Sequence, residues 1–127
     1  YQVSLEKFSG PLDLLLSIIE EKKLAISEIS LSAVTDQFLE YLKKLNANPM
    51  SEVGGSEYQR ILADFLVVAS RLILIKSRSL LPNLVLTQEE EGDIKELEER
   101  LKVYQRFRAL GRELGHFASG RASYFSR

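Results

Sequence analysis

No part of this chain limits its fold more than residues 61–75. These positions are apolar on almost every side of a helix, through Ile61, Leu62, Phe65, Leu66, Val68, Leu72, Leu74 and Ile75. The helical pattern extends over about 57–80 and is closed by Pro82, because proline lacks an amide hydrogen and disfavours helix in the residue before it. A membrane span needs about 20 nearly uncharged residues. This run has 15 and carries Asp64 and Arg71. A helix that is apolar nearly all round must be covered on more than one side, by its own domain or by another molecule. Asp64 and Arg71 stand on nearly one face, where they either fix register against a partner helix or mark the solvent stripe.

The rest of the pattern is helical too. Leu12, Leu15, Leu16 and Ile19 recur at spacings of three and four after Ser9-Gly10-Pro11, so a first helix is expected over about 11–22. Gly10 serves as its cap and Pro11 as its first residue. Leu31, Val34, Phe38, Tyr41 or Leu42, and Leu45 predict a second helix over about 31–45, with Ser30 as cap. Asn46 to Pro49 and Gly54-Gly55-Ser56 open a loop. Residues 83–92, with Glu89-Glu90-Glu91 and no helical period, read as an acidic linker. From Asp93 an amphipathic stripe returns: Ile94, Leu97, Leu101, Tyr104, Phe107, Leu110, Leu114 and Phe117. Gly111, Gly115 and Gly120 lower its intrinsic helicity, so this fourth helix is expected to fray or kink before Tyr124 and Phe125. The fold class is all-α: a small helical bundle over 1–82 with a long third helix, the linker 83–92, and an amphipathic helical arm over 93–127.

Chemistry is sparse. There is no cysteine and a single histidine, His116, which excludes thiolate and His/Cys metal sites and leaves no nucleophile with a positioned base. The paired carboxylates Glu20-Glu21 and Glu89-Glu90-Glu91 lie in polar segments, where no apolar pocket raises a pKa. Gly54-Gly55-Ser56, just ahead of the third helix, is the one approach in the sequence to a phosphate loop, and it is a very weak signal. No enzyme activity, cofactor, metal or small-molecule substrate is expected. The absence of cysteine suits a reducing cytoplasm, and Tyr1 to Glu6 do not read as a signal peptide.

Charge is divided along the chain. Residues 1–99 hold 10 basic and 17 acidic side chains, net −7, and residues 100–127 hold 7 and 1, net +6. Arg100, Lys102, Arg106, Arg108, Arg112 and Arg121 interleave with Tyr104, Phe107, Phe117 and Tyr124, a layout that can hold nucleic acid. At helical spacing, however, the aromatics join the leucine stripe while most arginines project elsewhere, which is the layout of a partner-binding helix. Nucleic-acid binding by the basic segment is the alternative reading.

Several motifs occur in order. Phe8-Ser9-Gly10-Pro11-Leu12-Asp13-Leu14-Leu15-Leu16, Thr35-Asp36-Gln37-Phe38-Leu39-Glu40-Tyr41-Leu42 and the run from Asp64 to Lys76-Ser77-Arg78-Ser79-Leu80-Leu81-Pro82 resemble the segregation and condensation protein A family, the kleisins of bacterial Smc complexes. The likeness continues through Leu97 to Arg108 and on to Phe125-Ser126-Arg127. Where the family often starts its fourth helix with Asp-Pro-Arg, this chain has Gly92-Asp93-Ile94-Lys95. The resemblance implies a cytoplasmic, nucleoid-associated adaptor that acts in chromosome condensation and segregation and meets chromosomal DNA only through its complex, with no membrane partner. It further implies that the third helix packs on the coiled-coil neck of the Smc ATPase, with Ile61, Phe65, Val68, Leu72 and Ile75 as contacts. The middle region would then run along a dimer of segregation and condensation protein B, through Leu97, Leu101, Tyr104, Phe107, Leu110, Leu114, Phe117, Tyr124 and Phe125. The winged-helix domain in which family members end has no counterpart among these residues.

Overall fold

Four helices account for the structure, a computed structural model that describes residues 9–46 and 55–120: α1 (Pro11–Glu21), α2 (Glu28–Asn46), α3 (Gly55–Leu80) and α4 (Gln88–Gly120). The fold is all-α, in line with the periodicity, and no strand occurs among the described residues.

Each helix end has a local cause. At α1, Gly10 takes φ 136°, a conformation that L side chains rarely adopt, and Pro11 occupies the first turn. The Asp13 carboxylate accepts a hydrogen bond from the Ser9 amide at 3.0 Å, tying the entering chain to that turn. Its far end closes with the Leu24 amide donating to the Ile19 carbonyl and the Lys23 amide to that of Glu20. This is the Schellman arrangement, with Lys23 at φ 58° where glycine is usual. The cap of α2 is Ser27 rather than Ser30: its hydroxyl accepts from the Ser30 amide at 3.2 Å, so the helix starts three residues earlier than the apolar period alone suggests. At α4 the Thr87 hydroxyl accepts from the Glu90 amide at 3.1 Å, and the Glu90 carboxylate accepts from the Thr87 amide at 2.9 Å. That reciprocal capping box draws Gln88 to Gly92 into the helix, so the acidic stretch is half connector and half first turn. α4 remains helical through Gly111 and Gly115 as far as Gly120.

α3 is the central element. It packs most extensively on α2 and also touches α1 and α4. Phe65, Val68, Ala69, Leu72 and Ile75 are buried, facing Leu31, Val34 and Phe38 of α2 and the leucines of α1. The rings of Phe38 and Phe65 stack with centroids 6.1 Å apart. Thr35, the most buried polar residue of this layer, donates its hydroxyl to the Leu31 carbonyl at 2.7 Å, so its burial leaves no unpaired group. Ile94, Leu97 and Leu101 of α4 complete the same core. Each large apolar side chain so enclosed contributes about 1.5–3 kcal/mol relative to exposure.

Two stability changes follow. Leu72→Ala leaves a cavity among α1, α2 and α3 and should lower unfolding free energy by about 2–5 kcal/mol. Thr87→Ala removes only the cap and should lower it by about 1 kcal/mol. Urea titrations monitored by circular dichroism measure both, and equal losses for the two would contradict the placement of Leu72 in the core.

Candidate docking surfaces

Before any surface is available to a partner, α3 and α4 must be held in register, and charged side chains do this at the edges of the core. Arg78 donates through Nε to Glu28 at the start of α2 and through a terminal nitrogen to Glu91 in the first turn of α4, joining three helices. The Glu91 carboxylate, and then that of Glu28, pushes the Arg78 guanidinium up from its ordinary value, and an arginine is charged at any working pH with or without that shift. Lys76 pairs with Asp36 of α2 at 2.6 Å. Arg71 reaches Glu96 at 3.1 Å and Asp93 at 3.6 Å on α4. Arg71 therefore fixes register within the chain, while Asp64 is exposed. Farther along, Arg108 pairs with Asp13 at 3.1 Å and Glu20 at 3.5 Å on α1, with Arg112 at 3.7 Å from Glu20. Pairs as exposed as these contribute about 0–1 kcal/mol each. Their effect is geometric: they orient α4 along α1 and α3.

Of the residues expected to meet a partner through α3, the structure turns Phe65, Val68, Leu72 and Ile75 into the core, and Ile61 packs half-buried against it. The outward face of the same helix carries a different set. Leu66, Val67 and Ile73 are 51, 47 and 48% exposed, and Leu80 is exposed beyond them. With Ala63, Ser70 and Ser77 they form a stripe that has no charged residue between positions 63 and 80, since Asp64, Arg71, Lys76 and Arg78 fall to its sides. The sequence shows that α3 has apolar residues to spare, but not which of them face out; once packing on α2 takes Phe65, Val68, Leu72 and Ile75 inward, the remaining apolar residues must point out.

α4 changes character along its length. Leu97 and Leu101 are buried in the core, and Tyr104 is half-buried against it. Phe107, Leu110 and Leu114 are exposed, at 65, 48 and 58%. Of the expected arm residues, Tyr124, Phe125 and the side chain of Phe117 lie outside the described residues. Leu12 of α1, with Glu99, Arg100, Val103, Tyr104 and Phe107, lines a shallow apolar hollow of about 310 Å³. A larger groove of about 640 Å³ runs between α2 and α3, lined by Leu39, Leu42, Leu62 and Leu66 and by Asp36, Glu40 and Lys43. Among the described residues no three His, Asp or Glu side chains are grouped to hold a metal ion. No helix there is long and apolar enough to cross a membrane.

The sequence has a counterpart among known proteins: the family described as segregation and condensation protein ScpA matches residues 18–127. The chain belongs to the ScpA family. Two ScpA relatives, the segregation and condensation proteins A of Streptococcus pyogenes serotype M5 (strain Manfredo) and serotype M49 (strain NZ131), are each 37% identical over 125 residues. That alignment covers 98% of this chain and 50% of each relative, so the chain spans about half the length of the ScpA proteins it matches. No solved structure matches it.

Arg108 marks where α4 passes from core element to exposed arm. Arg108→Ala should speed amide hydrogen exchange in α4 from about residue 104 onward while lowering global stability by no more than about 1 kcal/mol. Exchange mass spectrometry beside a urea titration reads both, and unchanged exchange in that segment would show that the pairs to α1 do not hold the arm.

Proposed function

We infer that this chain is the adaptor portion of a bacterial kleisin and has no enzyme activity of its own. It would bridge the Smc ATPase and a dimer of segregation and condensation protein B in chromosome condensation and segregation, in the cytoplasm at the nucleoid. One observation carries the reading. α3 is apolar on two sides, and after the domain core covers one, the charge-free stripe of Leu66, Val67, Ile73 and Leu80 remains for another molecule. A straight helical stripe of this kind suits a coiled coil, whose own surface offers grooves between helical ridges. We therefore assign the neck contact to this outer stripe, since Phe65, Val68, Leu72 and Ile75 serve the core. The distal part of α4, with Phe107, Leu110 and Leu114, is the corresponding surface for the accessory dimer, and Leu97 and Leu101 anchor it to the body. The basic segment is a weaker candidate for nucleic acid, because Arg108 and Arg112 face carboxylates of α1.

Leu66→Glu and Ile73→Glu should leave the circular dichroism spectrum intact and weaken binding to an Smc head with its neck by about thirtyfold or more, the loss typical of a central apolar anchor. Phe65→Glu should instead unfold the body. Retained binding by both folded outer variants would remove α3 from the neck contact. For the second surface, calorimetric titration against the accessory dimer should show Phe107→Ala losing about 2 kcal/mol. Arg106→Ala, at a screened rim, should lose about 0–1 kcal/mol. The reverse order would mean that the arm binds by charge.

A further inference from the structure

The residues of α3 repeat their type every seven positions. Ala63, Ser70 and Ser77 are small, while Leu66, Ile73 and Leu80 are large and apolar, as are Val67, Leu74 and, just past the helix end, Leu81. Asp64, Arg71 and Arg78 form a charged row that bounds these on the side of α4. Carboxylates of α4 hold Arg71 and Arg78, so neither enters the apolar rows. On the outward face the repeat makes two shallow holes, since residues at i, i+3, i+4 and i+7 of a helix surround a space that a side chain of a facing helix can enter. The first is edged by Ala63, Leu66, Val67 and Ser70, the second by Ser70, Ile73, Leu74 and Ser77, so each has two large walls and two small ends. Ser70 belongs to both. Its hydroxyl donates to the Val67 carbonyl at 2.9 Å, so an apolar side chain can cover it without leaving that hydroxyl unpaired.

The spacing names the occupant. A repeat of seven drifts by about 20° per repeat around a helix of 3.6 residues per turn, so a flat or extended partner falls out of step with it, whereas a helix that supercoils left-handedly with α3 stays on it. The small ends of the holes let the two helix axes approach to the short end of the usual range, about 8 Å.

We propose that one helix of a partner's coiled coil docks here with two large apolar side chains seven residues apart, one in each hole, and that Ser70 sets the specificity by keeping both holes open. The holes stand about 10 Å apart along α3, the rise of seven residues. This rests on the neck contact assigned above and adds which helix of a coiled coil can make it: one that carries large residues at the same seam position in successive repeats.

Calorimetric titration of the 127-residue chain with an Smc head and its neck tests the proposal. Ser70→Leu fills both holes from an exposed position. It should leave the circular dichroism spectrum intact and weaken binding by about thirtyfold or more. Ala63→Leu fills only the first hole and should weaken binding by about tenfold. Ser70→Ala keeps the space and removes only the hydroxyl, and Ser79→Leu adds the same leucine at an exposed position outside the holes; both should bind within about threefold of wild type. Leu66→Glu separates the two ways of failing. If it loses binding while Ser70→Leu and Ala63→Leu bind as wild type does, the outer stripe is the neck site but the holes are not used, and the proposal falls alone. If Leu66→Glu also binds as wild type does, the neck contact is misassigned and the proposal falls with it. A loss for Ser70→Ala as large as that for Ser70→Leu would mean that the partner reads the hydroxyl and not the open space, which overturns the proposal equally.

Discussion

Everything in this body depends on the packing of α2 against α3. Phe38 on Phe65, with Leu31, Val34, Leu72 and Ile75 around them, forms the dry layer against which α1 lies on one side and the first half of α4 on another. Remove that layer and neither α1, eleven residues long, nor the glycine-containing α4 has a reason to hold its place. Isolated helices shorter than about 12–15 residues are marginal in water.

The polar groups work at the borders of this layer. Arg78, Lys76 and Arg71 on α3 each reach a carboxylate on a neighbouring helix, and none is buried deeply enough for its ion pairs to dominate stability. What they supply is a further preference for the register that the close-packed layer sets, since sliding α3 by a turn would also unpair an arginine held by two carboxylates. Arg78 is the clearest case, because Glu28 and Glu91 stand 63 residues apart in sequence and meet only at its guanidinium. The Lys-Ser-Arg-x-Leu-Leu-Pro ending of α3 thus has a structural purpose in its arginine and an exposed pair in Leu80 and Leu81.

Function in such a protein follows from surplus. The core uses one face of α3 and the first half of α4. The apolar residues left over, Leu66, Val67 and Ile73 on one helix and Phe107, Leu110 and Leu114 on the other, are too numerous and too aligned to be scattered surface residues. Surfaces of this kind are what the adaptor role proposed above requires.

By itself the sequence determined the helices, the all-α class and the family, because periods of three and four, Pro11, Pro82 and the ordered motifs are local properties. Helix starts were less legible. Ser27 and the Thr87-x-x-Glu90 box lie outside the apolar period and act through hydrogen bonds that a hydrophobic pattern does not register. Only the tertiary structure decided which face of α3 is core. Ile61, Phe65, Val68, Leu72 and Ile75 make as good an apolar stripe as Leu66, Val67 and Ile73, and a helix apolar all round carries no local mark of inside. The choice is made by the partner face of α2, whose Leu31, Val34 and Phe38 admit one set and leave the other to solvent. The same holds for α4: its stripe is continuous in sequence, and only the length of α1 and the position of Asp13 and Glu20 set the point near Arg108 where packing stops and an exposed surface begins.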